Sequence, residues 1–494
     1  MKFQLFVPPQ GYVAQRWDEG GSMPPLGILY LAAVLEQKGV EVDVVPCDVL
    51  KLSWHEVEQR IRDFCPDVVG ATTTTENRFE SFRLVKIAKN VDPNIKTVLG
   101  GPHVSMAEED TLLHIQEADV AVVGEAENTV VELAEAFESG SGLENIKGLY
   151  IRKNGKIVFT GYRDRIENLD SLPFPARHLI PMDAYNFFVK TPGGERLKAQ
   201  NIMTSRGCPF DCYFCATPVN WGRKMRESST ERVLAEIEHL IQKYDARYIW
   251  FYDDTFNYNP ARVHRIMDMI LERKLNIKFC NEFRIDVLDK PLLEKMVKAG
   301  LVWGHFGIEA GNPRVRADVV KKKFDIERAY QFVNWAKELD FVPHAFLIFS
   351  HYTETWEEAR ETIEIMDTLK NINPKTEISS AILHVYPGTS LEKIAKEKNI
   401  IPPDFSWARK KDMRKVYVLP AAQGYVPLYK EKLNWFQIAD LVMMWSTHSK
   451  RIVSGAKFKA VLSTLTSFRD IPIYIAFFLT LLKYRLKALF QKNE

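Results

Sequence analysis

Residues Met203-Thr204-Ser205-Arg206-Gly207-Cys208-Pro209-Phe210-Asp211-Cys212-Tyr213-Phe214-Cys215 contain three cysteines in a C-x3-C-x2-C pattern. Three thiolates at this spacing can bind one metal centre, and no fourth cysteine lies close by in the sequence. A structural zinc site takes four protein ligands, whereas an iron-sulfur cluster held by three thiolates keeps one iron open to a small molecule. A zinc knuckle with a remote fourth ligand and a set of unrelated buried cysteines are the alternatives.

This stretch strongly resembles the cysteine motif of the radical S-adenosylmethionine (SAM) enzymes, which also carries an aromatic residue before the last cysteine. The resemblance implies that Cys208, Cys212 and Cys215 bind a [4Fe-4S] cluster. It also implies that SAM chelates the open iron through its amino and carboxylate groups. The reduced cluster would then cleave the sulfonium to give a 5′-deoxyadenosyl radical, and Phe214 is expected to pack against the adenine.

Length and composition set the boundaries of the interpretation. A chain of 494 residues has room for about three domains. Its net charge of only +2 produces no global field for nucleic acid. Six cysteines are too few and too scattered for a disulfide framework, which indicates a reducing cytoplasm, and we expect Cys47, Cys65 and Cys280 to be core residues. The N-terminus leads directly into an apparent strand, so we expect no signal peptide.

Residues 1–140 alternate apolar strands with helices of about ten residues, which predicts a doubly wound, Rossmann-like parallel sheet in an α/β protein. Such sheets bind ligands at the carboxyl ends of their strands, and glycines there let the backbone approach a large ligand. The candidate loops are Thr72-Thr73-Thr74-Thr75, Gly100-Gly101-Pro102-His103 and Gly124-Glu125-Ala126-Glu127.

This order of segments resembles the cobalamin-binding domain that precedes the radical domain in one large subfamily of radical SAM enzymes. The resemblance implies cobalamin contacts from Thr73, Thr74, Gly100, Gly101, His103, Gly124 and Glu125. The D-x-H-x-x-G motif that supplies a cobalt ligand in many cobalamin domains is absent from the sequence. We therefore expect His103 to lie near the ligand without binding cobalt. The alternative is a sheet of this type that has lost its cofactor and only positions substrate.

The remaining chain divides into three segments. Residues 141–195 are predicted to be a linker with a β-hairpin, because their prolines exclude a helix interior. Residues 196–400 repeat a strand and a helix about six times, which predicts a partial (β/α)6 barrel that is open on one side. In such barrels the chemistry lies at the carboxyl ends of the strands. Residues 401–494 are predicted to be helical.

The resemblance to radical SAM enzymes extends to these strand ends. It implies that Asp253 and Asp254 contact the SAM amino group, that Arg284 binds its carboxylate, and that Glu309 binds the ribose hydroxyls. Pro387 would border the adenine. Helix caps or surface charges are the alternative for the carboxylates. His351 follows a strand where relatives often have glycines, and it is either a substrate-side residue or a solvated loop histidine.

The C-terminal tail contains a dozen largely apolar residues, 471–482, which is short of the ~20 needed to span a bilayer. Basic residues follow: Lys483, Arg485, Lys487 and Lys492. An apolar block beside a basic block can lie in a membrane interface, so peripheral membrane contact is one interpretation. A helix that covers the open barrel is the other.

Together these features predict a cytoplasmic, cobalamin-dependent radical SAM enzyme, with methyl transfer to an unactivated carbon as the preferred reaction. We expect a small-molecule or lipid-like substrate, no nucleic acid, and an external one-electron reductant of the flavodoxin or ferredoxin type. An anaerobic oxidative cyclase acting on a tetrapyrrole or lipid is the enzymatic alternative. A non-catalytic iron-sulfur sensor would need only the cysteines.

Overall fold

The computed structural model describes residues 1–9, 23–185, 187–418, 425–448 and 471–490, with side chains to residue 445 and residue 484 in the last two ranges. The chain forms two compact units. Unit 1 contains Met1–Phe210, Ala216–Asp254 and Ser406–Lys410, and unit 2 contains Asp211–Cys215, Thr255–Phe405 and Lys411–Glu494. The three-cysteine motif is therefore divided, since Cys208 belongs to unit 1 and the other two cysteines belong to unit 2.

Unit 1 begins with a seven-stranded sheet in the order β2-β1-β3-β4-β5-β6-β7. The strands are β1 (Lys2–Val7), β2 (Glu41–Pro46), β3 (Val68–Thr72), β4 (Lys96–Gly100), β5 (Val120–Val122), β6 (Leu149–Lys153) and β7 (Lys156–Phe159). The first five strands are parallel and the last two are antiparallel. The Rossmann-like prediction is confirmed. The hairpin that the sequence places in a linker forms the last two strands of this sheet.

Helices cover both faces of the first sheet. They are α1 (Leu26–Gln37), α2 (Trp54–Phe64), α3 (Arg78–Val91), α4 (Pro102–Ala107), α5 (Asp110–His114) and α6 (Glu127–Ser139). Successive strand residues face opposite sides, so Leu5 joins a core with α1 and α6, while Phe6 joins a core with α2 and α3. Each such buried side chain contributes about 1.5–3 kcal/mol. This burial on both faces is what makes the strands read as continuous apolar runs.

The three cysteines outside the motif do not all lie in the core. Cys47 and Cys280 are buried, as expected, but Cys65 is exposed, so its prediction is wrong. Cys65 ends α2 with a left-handed φ of +51°, and its N–H donates to the carbonyl of Ile61 at 3.0 Å. A position at a helix end faces solvent here, although the flanking residues are apolar enough to suggest a buried one.

The rest of unit 1 carries the chain toward the cysteines. Its elements are β8 (Phe188–Lys190), β9 (Arg196–Ile202), β10 (Ser205–Arg206), α7 (Thr217–Asn220), β11 (Arg226–Glu227), α8 (Thr230–Tyr244) and β12 (Tyr248–Phe251). Strand β9 pairs with β8 antiparallel and with β12 parallel. Strands β10 and β11 form a short antiparallel ladder that pairs Arg206 with Arg226. This ladder ends two residues before Cys208.

Unit 2 contains four parallel strands and their helices. These are α9 (Pro260–Glu272), β13 (Lys278–Phe283), α10 (Lys290–Ala299), β14 (Leu301–Glu309), α11 (Ile326–Glu338), β15 (Val342–Phe349), α12 (Trp356–Ile372), β16 (Glu377–Ile382) and α13 (Ser390–Glu397). The strands pair in sequence order. Counting β9 and β12, which belong to unit 1, the described chain contains six βα units in sequence order, so the predicted (β/α)6 fold is confirmed. Phe306 of β14 packs on Phe332 of α11, which fixes which strand face meets the helices.

The described part of the C-terminal region contains two long helices, in agreement with the predicted helical character. Helices α14 (Trp435–His448) and α15 (Ile471–Phe490) pack against each other. Ile473 and Ala476 of α15 are buried, whereas Ile475, Leu479 and Leu482 are exposed. The side chains of Arg485 and Lys487, and all of Lys492, lie outside the described residues. Among the helices that the structure describes, none has both the length and the apolar character that a membrane crossing requires.

Candidate active site

The residue before the first cysteine, Gly207, has a backbone conformation that only glycine adopts readily. Gly207 has a φ of +105°, and a Cβ there would collide with the carbonyl oxygen of Lys224 and lie 3.3 Å from that of Gly222. The backbone N–H of Cys208 donates to the same Gly222 oxygen at 3.1 Å. Close approach of two backbone segments therefore determines where the Cys208 side chain begins.

The other two cysteines lie on a turn in unit 2. The N–H of Cys215 donates to the carbonyl of Cys212 at 3.0 Å. Tyr213 between them is buried, and its carbonyl accepts from the N–H of Leu391 at 3.0 Å. Its hydroxyl is 3.0 Å from Nδ1 of His351. The turn is thus held by bonds to both the main chain and the side chain of Tyr213.

The three thiols suit an iron-sulfur cluster. Among the described residues none of the three forms a disulfide, and all are partly exposed. Burial raises the pKa of the Cys212 thiol to about 11, while nearby Lys322 opposes the shift. Metal binding requires the thiolate, so cluster binding would displace this proton. No three His, Cys, Asp or Glu side chains in the described parts of the chain are placed to hold a single metal ion. A cubane has no such need, because each thiolate binds a different iron.

Asp253 and Asp254 have different surroundings at the end of β12. Asp253 is fully buried, and its carboxylate accepts from the N–H of Thr204 at 2.6 Å, from the Thr204 hydroxyl at 2.5 Å and from the N–H of Ser205 at 3.2 Å. Asp254 is exposed and accepts from the Thr217 hydroxyl at 2.8 Å. Asp253 therefore fixes the segment that leads to Cys208, while Asp254 presents its carboxylate at the surface of the unit. The SAM contact assigned to both stays a prediction.

Arg284 is held in place by its own main chain. Its N–H donates to Oδ1 of Asn257 at 2.9 Å, and its carbonyl accepts from the amide nitrogen of Asn257 at 2.8 Å. Its guanidinium binds Asp286 through two donors, at 2.9 Å and 2.6 Å. This geometry is the one that a bidentate carboxylate ligand requires. Binding of the SAM carboxylate by Arg284 is still a prediction.

Glu309 ends β14 in a strained conformation. Its φ is +69°, which non-glycine residues seldom adopt, and the register between β14 and β15 shifts at this point. Its carboxylate accepts from Nζ of Lys322 at 2.7 Å, and that ammonium also donates to the carbonyl of Gly307 at 2.9 Å. A Cβ at Gly307 would lie only 2.5 Å from this ammonium. Strain of this kind is typical of functional sites, although the ribose contact is untested.

His351 corrects one of its two sequence interpretations. It is only 1 % exposed, so it is not a solvated loop residue, whereas its role as a substrate-side residue stays a prediction. Its ring contacts Tyr213, and Nε2 is 3.4 Å from the carbonyl of Glu309. Burial lowers its pKa to about 4, so the imidazole is neutral. His351 thus joins the cysteine turn to the end of β14, a role that no sequence motif signals.

Two further predicted residues lie close to this part of unit 2. Phe214 is half-buried, with its ring centroid 6.2 Å from that of His351. Pro387 precedes Gly388, whose φ is +71° and whose N–H donates to Glu392 at 2.7 Å at the start of α13. The adenine contacts of Phe214 and Pro387 stay predictions.

The predicted cobalamin loops lie at the strand ends of the first sheet. Gly101 has a φ of +97°, and a Cβ there would lie 2.8 Å from the nitrogen of Thr73. Thr73 and His103 are fully buried, whereas Thr74 is half-buried. Nδ1 of His103 is 3.2 Å from the Thr75 hydroxyl, and burial holds its pKa well below the usual range. Gly101 thus lies against the backbone of Thr73, and the His103 ring belongs to the interior, so the cobalamin contacts of these loops stay predictions.

Glu125, the last predicted cobalamin residue, has several partners of its own. Its carboxylate accepts from Arg206 at 3.3 Å, from Arg226 at 2.8 Å and from the N–H of Ile166 at 2.8 Å. Gly124 beside it has a φ of +80°, and a Cβ at that position would meet no atom within 4 Å among the described residues. The sequence interpretation missed both arginines. The sequence offers one indication of Arg206, its position two residues before Cys208, and none of Arg226.

The six βα units, the glycine-led cysteine loop and the polar strand ends define a radical SAM enzyme. Residues 202–366 match the Radical SAM superfamily, and residues 19–134 match the B12 binding domain. An uncharacterized methyltransferase of Pyrococcus horikoshii is 32% identical over 401 residues, which cover 81% of this chain and 84% of that protein. The chain belongs to the cobalamin-binding family of radical SAM enzymes.

Two other similarities are informative. The anaerobic magnesium-protoporphyrin IX monomethyl ester cyclase of Rubrivivax gelatinosus is 30% identical over 369 residues, which cover 73% of this chain and 65% of that protein. The solved structure of the radical SAM methyltransferase TsrM from Kitasatospora setae, with cobalamin and a [4Fe-4S] cluster bound, superimposes with a TM-score of 0.71. It covers 90% of this chain and 88% of that chain at 16% identity, which supports the fold alone.

Proposed function

We propose that this enzyme transfers a methyl group to an unactivated carbon, using a [4Fe-4S] cluster, SAM and cobalamin. The observation that carries the proposal is the joint presence of a B12-binding sheet and a three-cysteine loop in one chain whose relative from Pyrococcus horikoshii is described as a methyltransferase. When bound, the cofactors supply a radical that abstracts hydrogen and a methyl donor for the resulting carbon radical. The protein's part is to bind and orient them.

In our proposal, different residues of this chain bind the cluster, SAM and cobalamin. The three cysteines hold the cluster, and the open iron takes SAM. Arg284, already oriented by Asn257, binds the SAM carboxylate in the manner in which it binds Asp286. Exposed Asp254 takes the SAM amino group, since Asp253 is committed to Thr204 and Ser205. Glu309 offers its carboxylate to the ribose, and backbone at Gly100 and Gly124 approaches the corrin.

Product stoichiometry tests the reaction type. Methyl transfer consumes two SAM molecules and yields one 5′-deoxyadenosine and one S-adenosylhomocysteine for each methylated product. The protein should be purified anaerobically with cobalamin, reconstituted with iron and sulfide, and assayed by mass spectrometry, with Cys212→Ala as the inactive control. Deoxyadenosine formation with no S-adenosylhomocysteine in the presence of a turned-over substrate would overturn methyl transfer.

Deoxyadenosine without S-adenosylhomocysteine is the result expected of an oxidative cyclase. The similarity to the Rubrivivax gelatinosus cyclase is the observation that favours this alternative. An iron-sulfur sensor would bind iron and form neither product. The substrate class in our proposal is a small molecule or a lipid-like molecule such as an isoprenoid or tetrapyrrole. Extracts that contain such molecules are therefore the first source of substrate for the assay.

An external one-electron carrier of the flavodoxin or ferredoxin type completes the proposal. The feature that supports it is exposed Lys321, whose Nζ lies 3.5 Å from Asp211 of the cysteine loop, together with exposed Lys323 two residues further on. Acidic carriers are attracted by such charges. Lys321→Glu with Lys323→Glu should slow SAM cleavage driven by a flavodoxin and leave cleavage driven by dithionite unchanged. If the variant cleaves SAM as fast as the wild type when a flavodoxin supplies the electrons, this support is removed.

We also propose that the enzyme is cytoplasmic and docks on anionic membrane surfaces through α15. The described residues, which include all six cysteines, contain no disulfide, and this suits a reducing compartment. One face of α15 exposes Ile471, Ile475, Leu479 and Leu482. Lys483 follows them; its side chain is exposed and forms an ion pair with Asp440 at 3.1 Å. An apolar helical face with adjoining positive charge is typical of interfacial helices.

A triple variant, Ile475→Ser, Leu479→Ser and Leu482→Ser, tests the docking. It spares the buried Ile473 and Ala476, so α15 should stay packed on α14. After sedimentation with phosphatidylglycerol vesicles, the wild type should be found in the vesicle pellet and the variant in the supernatant. Neutral vesicles are the control. Failure of the wild type to bind anionic vesicles would contradict the proposal and indicate that another part of the chain or a second copy covers this face.

A further inference from the structure

Four buried charged side chains form a compact group in unit 1. We call Glu125, Glu127, Arg206 and Arg226 the Arg–Glu quartet. Arg206 donates to Glu127 at 2.6 Å and to Glu125 at 3.3 Å, and Arg226 donates to Glu125 at 2.8 Å. The two arginines thus bind carboxylates that are two residues apart on the loop entering α6.

Burial makes this geometry restrictive. Each of the four side chains is at most 6 % exposed. Arg226 also donates to the carbonyls of Ile166 and Trp221, at 2.8 Å and 3.1 Å, and the Arg206 guanidinium lies 5.0 Å from the Trp221 ring. Charges removed from water in this way must stay paired, because one unpartnered ion costs several kcal/mol. The loop that enters α6 and the strands β10 and β11 can therefore move little relative to one another without breaking these ion pairs.

The arginines lie on the two strands that flank the cysteine loop in the sequence, β10 before it and β11 after it. Arg206 and Arg226 are directly paired in the β10–β11 ladder. Gly207 follows Arg206, and the next residue, Cys208, donates its N–H to Gly222, on the segment that leads into β11. The backbone of Cys208 is consequently one glycine away from a guanidinium that Glu127 and Glu125 hold.

We propose that the Arg–Glu quartet positions Cys208 for cluster binding, so that two carboxylates of the B12-binding region determine how firmly the first cysteine holds its iron. Glu127 is the principal positioning residue, because it makes the shorter bond to Arg206 and starts helix α6. The two carboxylates belong to the residues that match the B12 binding domain, and the two arginines belong to those that match the Radical SAM superfamily. This proposal rests on the proposed function only in assuming that the three cysteines bind a [4Fe-4S] cluster.

The test compares cluster retention in full-length protein that has been reconstituted anaerobically. The variants are Glu127→Gln, which removes one charge at constant size, and Glu127→Asp, which keeps the charge. Glu236→Gln is the matched control, since Glu236 makes an equally buried ion pair with Arg177 at 3.1 Å. The measurements are iron content, the rate of bleaching by an iron chelator, the electron paramagnetic resonance spectrum of the reduced cluster, and the melting temperature.

We expect Glu127→Gln to bleach at least fivefold faster than the wild type and to show an altered spectrum, and Glu127→Asp to recover most of the difference. Glu236→Gln should lose melting temperature but keep the wild-type bleaching rate and spectrum. Equal bleaching and identical spectra in Glu127→Gln and the wild type would overturn the positioning role. If Glu127→Gln is insoluble, Arg206→Lys, which keeps the charge but cannot bridge both carboxylates, carries the same expectation. A wild-type protein that binds no iron would instead refute the proposed function.

Discussion

Glu354 gives a prediction whose size follows from the structure. Its side chain is fully buried, with Oε2 accepting from the N–H of His351 at 3.0 Å and Oε1 lacking a hydrogen-bond partner among the described residues. Burial raises the pKa of this carboxyl from 4.5 to about 7, although the N–H groups of His351 and Ser350 oppose the shift. The folded protein therefore prefers the protonated form over a pH range in which the unfolded chain is ionised.

The difference in the pKa of Glu354 between the folded and unfolded states sets the direction in which the free energy of unfolding changes with pH. Below pH 4.5 both states are protonated and Glu354 costs nothing, whereas between pH 4.5 and about 7 the unfolded state alone loses the proton. The free energy of unfolding then falls as the pH rises, by about 1.4 kcal/mol for each unit of the pKa difference, or about 3 kcal/mol in all. Glu354→Gln stays neutral and should avoid this loss.

The assay is thermal unfolding of the wild type and Glu354→Gln at pH 5, 6, 7 and 8, followed by circular dichroism. The two proteins should melt within a few degrees of each other at pH 5, and the variant should melt roughly 6 °C higher at pH 8, taking ~2 °C for each kcal/mol. Exposed Glu357→Gln is the control and should show no such trend. A melting difference that does not change with pH would refute the reasoning.

Three other expectations follow from the site. Replacing Cys208, Cys212 or Cys215 by Ala should abolish the iron-sulfur absorption or deoxyadenosine formation, while Cys47→Ala and Cys280→Ala, at buried positions away from the motif, should retain both, as iron analysis and mass spectrometry would show. Gly100→Val should raise the dissociation constant for cobalamin about tenfold or more by occupying space at the strand end; its nearest neighbour, Cβ of Val122, is 3.7 Å away, so unchanged affinity in a folded variant would move the corrin site elsewhere. Asp253→Asn should lower the free energy of unfolding by about 3 kcal/mol, because an amide cannot accept all three hydrogen bonds from Thr204 and Ser205; urea unfolding within 1 kcal/mol of the wild type would contradict this.

Local sequence patterns were sufficient for the elements of this fold. The apolar runs within Val68–Thr72 and Lys96–Gly100 predict buried strands, which the structure contains. The helix Trp54–Phe64 begins at the capping box of Ser53 and Glu56, which is visible in the sequence. Where a prediction differed from the structure, the reason is long-range pairing. Leu149–Lys153 forms a hairpin with its neighbour, but only its register with β5 makes it part of the first sheet.

The sequence by itself determined the family and predicted the ligands of the cluster, because the spacing of Cys208, Cys212 and Cys215 is a local property of the chain. Only the tertiary structure decided which polar residues are available to ligands. Asp253 and Asp254 are adjacent in sequence, yet one is buried among backbone donors and the other is exposed. Likewise Glu125 reads as a ligand-loop carboxylate, but residues 81 and 101 positions away supply its arginine partners. Burial and pairing depend on contacts between distant segments, and no local pattern records them.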